Sequence, residues 1–126
     1  MAERVHFLGR IPFEHLLNLY AAARVVFYPS LAETFGKPVV EGIRSGVPVV
    51  ASNLTSIPEL ADGCALLVDP KDAEANADAL HRAICLDGMR QELITRGKER
   101  AKAFSWAQTA KGTLDAWRAA LEPSAA

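Results

Sequence analysis

The most informative stretch of this chain is the nine residues Glu33-Thr34-Phe35-Gly36-Lys37-Pro38-Val39-Val40-Glu41. Pro38 suits the start of a helix, because its missing N–H would have no partner within the first turn. Gly36 removes a side chain where backbone must come close to a ligand. The segment therefore predicts a loop that leads into a helix whose free N–H groups favour an anion such as phosphate.

Two carboxylates bracket this helix start, Glu33 before the helix and Glu41 a turn inside it. Carboxylates accept hydrogen bonds from hydroxyl groups, so they suit a sugar or a ribose better than a phosphate. Together the loop and the helix fit a sugar linked to a nucleotide diphosphate. From the residues alone a plainer interpretation stays open, in which Glu41 only favours the helix N-terminus and Glu33 is a solvated loop charge.

Short apolar segments at 5–8, 25–28, 47–51 and 65–68 alternate with helical patterns and polar loops along the first half of the chain. This alternation predicts an α/β, Rossmann-like fold, with a parallel sheet of about four strands flanked by helices. Because ligands bind at the carboxyl ends of such strands, residues 9–11, 30–37 and 52–57 should share one edge of the sheet.

The rest of the chain predicts a helical C-terminus. One apolar stripe consists of Ala73, Ala77, Leu80 and Ile84. A second helix spans about 89–102, and Ser105 with Gln108 fits a capping box at the start of a third. The buried face of that last helix is predicted to be Ala110, Leu114, Trp117 and Leu121. We expect one domain over 1–122 and a tail over 123–126, with Trp106 and Trp117 as packing anchors.

Composition and charge narrow the class of partner. The 126 residues carry a formal net charge of -1, which argues against a nucleic-acid partner. Cys64 and Cys85 form no CxxC pair and have no histidine at metal-ligand spacing, so we expect two buried thiols and a reducing, cytoplasmic location. No apolar run approaches the roughly 20 residues that span a bilayer.

Residues 29–42 read Pro29-Ser30-Leu31-x-Glu33-x-Phe35-Gly36-x-Pro38-x-Val40-Glu41-Gly42. This pattern closely resembles the EX7E signature of the glycosyltransferase group 1 family, the retaining GT-B class. The flanking segments 7–10, 46–52, 52–59, 65–70 and 104–106 are similar to the corresponding family segments, in order, and those at 52–59 and 65–70 are similar to mannosyltransferase-like members. The resemblance covers nearly the whole chain.

The resemblance implies a partial GT-B C-terminal domain and a role for each matched residue. Glu33 would be the catalytic residue, in contact with the donor sugar near its reacting carbon, and Glu41 would hold the ribose hydroxyls. The remaining substrate-binding residues are expected to be Thr34, Phe35, Gly36 and Lys37 at the sugar and diphosphate, and Arg10 and Ile11 beside the nucleobase. Many family members have an apolar residue at the position of Lys37. The lysine either pairs with the diphosphate or is simply exposed.

The resemblance also implies the chemistry and the partners. Family members act without a bound metal and retain the configuration of the sugar, so no metal site and no cofactor are expected. The donor would be a nucleotide-diphosphate sugar, weakly favoured as GDP-mannose, and the acceptor a glycan or a lipid-linked sugar. Glu33 would position the sugar in a front-face displacement, although covalent catalysis stays open. A GT-B-like epimerase is disfavoured by the Glu33–Glu41 spacing.

The acceptor-binding domain of the family has no counterpart in this sequence, so the chain alone is expected to be inactive. Trp117 and Leu121 would then expose apolar surface, which a second copy or a partner chain could cover. The alternative function is a non-catalytic nucleotide-binding or assembly module that keeps only the fold. Basic residues between 96 and 102 form either a solvated helix face or a contact with the inner face of a membrane.

Overall fold

The structure is a computed structural model, and it describes residues 2–121. The predicted tail over 123–126, and the domain boundary at 122, lie outside the described residues. Helices and strands alternate through the first two-thirds of the chain, and helices follow. After a short 3₁₀ turn at Ala2–Arg4, the elements are α1 (Phe13–Ala22), β1 (Val26–Tyr28), α2 (Lys37–Arg44), β2 (Val49–Ser52), α3 (Ile57–Ala61), β3 (Leu66–Val68), α4 (Ala73–Cys85), α5 (Asp87–Ala101) and α6 (Trp106–Leu121).

The strands form one parallel sheet in the order β1-β2-β3. Val26 pairs with Val49, and Val50 pairs with Leu66, so side chains in register share a face of the sheet. Each face has its own buried cluster. The predicted α/β, Rossmann-like parallel sheet is confirmed, with three strands in the described part of the chain rather than about four.

Helix α2 packs very closely on the first face of the sheet. Its Val39 and Ile43 are buried against Val49 of β2. A Cβ at Gly42 would lie 2.8 Å from a methyl carbon of Val49, so only a residue without a side chain allows this approach. Helix α5 stacks on α2 in turn, because a Cβ at Gly97 would lie 3.2 Å from the Cβ of Ile43.

Helix α4 covers the second face, but not with the predicted stripe. Its buried residues are Asn76, Ala79 and Ala83, whereas Ala73 and Ala77 are exposed and Leu80 and Ile84 are half-buried. The two stripes are neighbours on the same helix and both contain small residues, so periodicity does not separate them. Asn76 selects the observed face, because its Nδ2 donates to the carbonyl of Asp69 at 2.8 Å in the loop after β3.

In the first 61 residues one predicted strand is wrong and one short helix was not predicted. The segment 5–8 is not a strand, and Phe7 is 95% exposed. A strand needs a hydrogen-bonding neighbour, and no described strand pairs with this segment. The loop predicted over 52–57 ends in a helix, α3, which begins at Ile57 and contains Pro58 in its first turn.

The C-terminal helix is confirmed, while its predicted buried face is wrong. Ser105 Oγ accepts from the N–H of Gln108 at 3.2 Å, which is the N-terminal half of the predicted capping box. Trp106, Trp117 and Leu121 are 87%, 63% and 83% exposed, so neither tryptophan is a packing anchor. No described element packs on this side of α6, which is why its apolar residues stay in contact with solvent, as expected for Trp117 and Leu121.

The two thiols differ. Cys64 is buried in the first cluster, where burial raises the pKa of its thiol, whereas Cys85 is exposed at the end of α4. The expectation of two buried thiols therefore holds for Cys64 only. None of the helices among the described residues has the length and the apolar character needed to cross a bilayer.

Candidate donor-binding site

The site is built at the carboxyl ends of β1 and β2. The loop over 29–36 leaves β1 and enters α2, while the loop over 53–56 leaves β2 and enters α3. The two loops are held together by hydrogen bonds, as the edge rule for parallel sheets predicts. The loop that contains Glu33 therefore has a rigid neighbour on the same edge.

The carboxylate of Glu33 is bound by two hydroxyl groups. Tyr28, the last residue of β1, donates its hydroxyl hydrogen to Oε1 of Glu33, and Ser30 Oγ donates to the same oxygen at 3.0 Å. The hydrogen bond to Glu33, followed by burial, raises the pKa of Tyr28. The tyrosine therefore keeps its proton, and its role as a donor, throughout the neutral pH range.

The backbone of Glu33 is held by the neighbouring loop. Its N–H donates to Oγ1 of Thr55 at 3.1 Å, and Ser56 Oγ donates to the carbonyls of Glu33 and Phe35, each at 3.2 Å. Thr55 has φ of 55°, a left-handed conformation that is strained for a β-branched residue. Glu33 is therefore fixed at both its carboxylate and its main chain.

Glu41 lies in the second turn of α2 and is half-buried. The hydroxyl of Tyr20 donates to its Oε2 at 3.0 Å. Burial, with the hydrogen bond to Glu41 and its charge, raises the pKa of Tyr20 to about 12. This bond ties α1 to α2 and leaves the other oxygen of Glu41 without a partner among residues 2–121.

The start of α2 offers fewer free donors than the sequence suggests. Pro38 has no N–H, and the N–H of Val39 donates to the carbonyl of Gly36 at 3.0 Å. The N–H of Lys37 donates to no other group in the described part of the chain. The predicted anion-binding helix start is therefore narrow and depends on the main chain at 36 and 37.

Gly36 is explained by packing rather than by ligand approach. It caps α2 with φ of 92°, a conformation that L side chains rarely adopt. A Cβ there would overlap Cδ1 of Ile57 and lie 3.2 Å from Cδ1 of Leu60, both in α3. The prediction that position 36 needs glycine is supported, with a different physical reason.

The other predicted site residues are distributed unevenly. The ring of Phe35 meets that of Phe104 edge-on, at 6.2 Å between centroids, and remains partly exposed. Thr34 and Lys37 are exposed, and Lys37 forms no ion pair with a described residue, so its two interpretations stay open. Arg10 is exposed and Ile11 half-buried, and neither is hydrogen-bonded to the described loop over 29–36.

The sequence missed the two tyrosines and the loop residues Thr55 and Ser56. Tyr28 falls in the predicted strand segment 25–28, and the sequence pairs neither tyrosine with a carboxylate. The signal that could have found them is the terminal hydroxyl, since a partly buried tyrosine usually finds a hydrogen-bond partner. The partner itself could not be named from the sequence.

Two depressions on the surface lie away from these carboxylates. One, of about 330 Å³, is lined by Arg44, Lys98 and Phe104 among others. The other, of about 460 Å³, lies between α5 and the turn at Asp62 and Gly63. The chemistry at Glu33 and Glu41 favours the open edge as the ligand site. Within residues 2–121 no group of three His, Cys, Asp or Glu side chains could hold a metal ion.

Comparisons with known proteins agree on the family. The chain is 40% identical over 114 residues to O-antigen chain mannosyltransferase B of Escherichia coli, covering 90% of this chain and 30% of that protein. It is 40% identical over 120 residues to the D-inositol 3-phosphate glycosyltransferase of Nocardioides sp., covering 92% of this chain and 26% of that protein. The chain thus spans less than a third of the length of these curated relatives.

A solved structure supports the fold. The sucrose-phosphate synthase of Thermosynechococcus elongatus superposes with a TM-score of 0.84 at 34% identity, over 97% of this chain and 31% of that one. This likeness confirms the predicted GT-B-type α/β fold. Residues 1–85 match the family described as Glycosyl transferases group 1. On this match and these relatives, the chain belongs to the group 1 glycosyl transferases.

Proposed function

We propose that this chain is the nucleotide-sugar-binding part of a retaining glycosyltransferase that transfers a hexosyl group to a glycan or a lipid-linked acceptor. The observation that carries the proposal is the pair of carboxylates flanking the start of α2. Each is bound on one oxygen by a tyrosine hydroxyl and has its other oxygen unpaired among residues 2–121. Two unpaired carboxylate oxygens beside a helix start suit hydroxyl groups that flank a diphosphate.

In this proposal Glu33 is the catalytic residue and contacts hydroxyls of the donor sugar near the reacting carbon. A negative charge there would stabilise the positive charge that develops on the sugar as the diphosphate leaves. Two hydroxyls already donate to Oε1, so Oε2 is the oxygen left to contact the sugar; we assign it a positioning and electrostatic role, with covalent attack as the alternative. Glu41 would bind the ribose hydroxyls.

The remaining contacts in the proposal come mainly from the main chain. The N–H groups at 36 and 37, with the Lys37 ammonium, would meet the diphosphate, and Thr34 and Phe35 would border the sugar. Arg10 and Ile11 would lie beside the nucleobase. No metal and no cofactor take part in this scheme, since helix N–H groups and basic side chains would carry the charge of the leaving group.

The donor sugar is proposed from the relatives. O-antigen chain mannosyltransferase B of Escherichia coli is a mannosyltransferase by name, and so is the serotype-specific mannosyltransferase WbdA. They favour a mannosyl donor, with GDP-mannose as the first choice. The acceptor would be bound by a further domain, and we therefore propose that the isolated chain has no transferase activity. A cytoplasmic location, at the inner face of the membrane, completes the proposal.

Titration calorimetry of the chain with GDP, UDP, GDP-mannose and UDP-glucose tests the proposal. We expect binding of at least one nucleotide, weakened about tenfold or more by Glu41→Gln, since a charged hydrogen bond contributes about 1.5–3 kcal/mol. Glu59→Gln, at an exposed glutamate of α3, is the matched control and should bind as the wild type does. Absence of binding to all four ligands would refute the proposal and favour the assembly module, for which the exposed apolar side of α6 is the supporting observation.

A further inference from the structure

Each of the two carboxylates of the site is held by one of the two tyrosines of the chain. We infer that Tyr28 and Tyr20 are positioning residues: Tyr28 turns the free oxygen of Glu33 toward the donor sugar, and Tyr20 turns that of Glu41 toward the ribose. This inference rests on the proposed function and adds two residues that the family resemblance does not supply. It also explains why the carboxylates, on an open edge, have a fixed orientation.

The case for Tyr28 begins with the element that carries it. Tyr28 is the last residue of β1 and pairs in register with Ala51 of the central strand, so its main chain is held by the sheet. Its hydroxyl and that of Ser30 converge on Oε1 of Glu33, whereas Oε2 accepts from no described residue. A carboxylate bound twice on one oxygen cannot rotate freely, so Oε2 is the oxygen left for a ligand.

The case for Tyr20 depends on the packing of α1 against α2. Tyr20 is half-buried on α1, and its hydroxyl reaches Oε2 of Glu41 at 3.0 Å. Glu41 lies in the second turn of α2, where an unpaired side chain would sample several rotamers in solvent. The bond from α1 selects one of them and leaves Oε1 free. Helix α1 thereby becomes part of the ribose side of the site.

The two substitutions should differ in which ligands they weaken. For Tyr28→Phe this difference separates positioning from a general loss of structure, and for Tyr20→Phe an unchanged folded fraction does so. Tyr28→Phe removes a hydroxyl that acts through Glu33. It should therefore weaken the binding of GDP-mannose about three- to tenfold and leave the binding of GDP unchanged. Tyr20→Phe acts through Glu41 on the ribose, which both ligands contain, and should weaken both by a similar factor. A loss of folded protein would instead weaken both ligands equally in each variant.

Calorimetry of the wild type, Tyr28→Phe, Tyr20→Phe, Glu33→Gln and Glu41→Gln with GDP and GDP-mannose provides the test, with circular dichroism to measure the folded fraction. Should Tyr28→Phe fail to fold, Ser30→Ala takes its place, because it removes the other hydroxyl that donates to Glu33. It should likewise weaken the binding of GDP-mannose and leave that of GDP unchanged. In a Glu33→Ala background, which has no side-chain oxygen to accept from Tyr28, Tyr28→Phe should have no additional effect on the binding of GDP-mannose.

Three results would overturn the inference. If neither GDP nor GDP-mannose binds to the wild type, the proposed function with this donor fails and the inference fails with it. If the glutamine variants weaken binding and the phenylalanine variants do not, the proposed function stands and the positioning roles are wrong. If Tyr28→Phe, or Ser30→Ala in its place, weakens GDP and GDP-mannose by the same factor, the tyrosine is structural only.

Discussion

Replacing Gly36 with alanine should destabilise the fold more than the same change at any other glycine we compare. Gly36 combines two features, φ of 92° and a Cβ position that overlaps Cδ1 of Ile57. Left-handed backbone costs an L residue about 1–2 kcal/mol, and overpacking a core contact costs about 1–3 kcal/mol. The two add to about 2–5 kcal/mol for Gly36→Ala, a large part of the stability of a small domain.

Three other glycines separate the two contributions. Gly9 has φ of 61° and nothing within 4 Å of its Cβ position, so Gly9→Ala should show the backbone strain alone, about 1–2 kcal/mol or less in an exposed loop. Gly42 is helical with Val49 at 2.8 Å, so Gly42→Ala should show the overlap, offset by about 1 kcal/mol of helix propensity. Gly112 lies in α6 with open space around it, so Gly112→Ala should stabilise the chain.

Urea unfolding followed by far-ultraviolet circular dichroism measures these differences. With a slope of about 2 kcal/mol per molar, the midpoint of Gly36→Ala should fall by roughly 1–2.5 M. Ile57→Val removes the carbon that the new Cβ would meet and costs about 0.5–1.5 kcal/mol alone. The double variant should therefore lose less than the sum of the single changes. Strict additivity, or a Gly36→Ala loss no larger than that of Gly9→Ala, would refute the reasoning.

Three further predictions concern hydrogen bonds. The pKa of Tyr20 is raised to about 12 and that of Tyr28 is raised above 10.0. Tyrosinate absorbance should therefore rise at higher pH in the folded chain than in the chain unfolded in urea. The unfolded chain then releases protons first, so stability should fall as pH rises from 10 toward 12; a normal titration in the folded chain would contradict this. Arg100→Met should destabilise the chain by about 1–3 kcal/mol, because Arg100 donates to two carbonyls of α3 and lies over the Phe104 ring. The control is Arg82→Met, which removes an exposed ion pair and should change the unfolding midpoint little. Asp72→Ala should lower the free energy of unfolding by about 0.5–2 kcal/mol, since Asp72 caps α4 by accepting from two backbone N–H groups. An unchanged midpoint in the same urea assay would contradict this.

The fold could be predicted from the sequence where periodicity and turn residues agree. The three observed strands, α2 and the long C-terminal helices follow from short apolar segments, Pro38 and the capping serine at 105. A strand was wrongly predicted at 5–8, because an apolar run has the same pattern whether or not a neighbouring strand exists to pair with it. The buried faces of α4 and α6 depend on which surface lies opposite, and helical spacing does not contain that information.

The place of the two carboxylates in the fold was predictable, while their role as a ligand site stays a prediction. Carboxylates before and inside a helix that starts at a sheet edge indicate a hydroxyl-rich anionic ligand, and Glu33 and Glu41 do lie on that edge. Tyr28 and Ser30 lie within five positions of Glu33. The other partners were not predictable, because Tyr20 lies 21 positions from Glu41 and Thr55 lies 22 positions from Glu33. Such contacts exist only after the helices and loops pack.

Helix α5, whose basic residues could have formed a solvated face, contributes to the site through α3. Arg100 donates to the carbonyls of Glu59 at 2.8 Å and Leu60 at 3.0 Å, and thereby fixes the end of α3. The start of α3 carries Ile57, which requires glycine at 36, and the loop before it carries Thr55 and Ser56, which hold the backbone of Glu33. A change at Arg100 should therefore reach the carboxylate of Glu33 without any direct contact between the two residues. The orientation of Glu33 is in this sense a property of the packing of α3 and α5 as well as of the nearby hydroxyls of Tyr28 and Ser30.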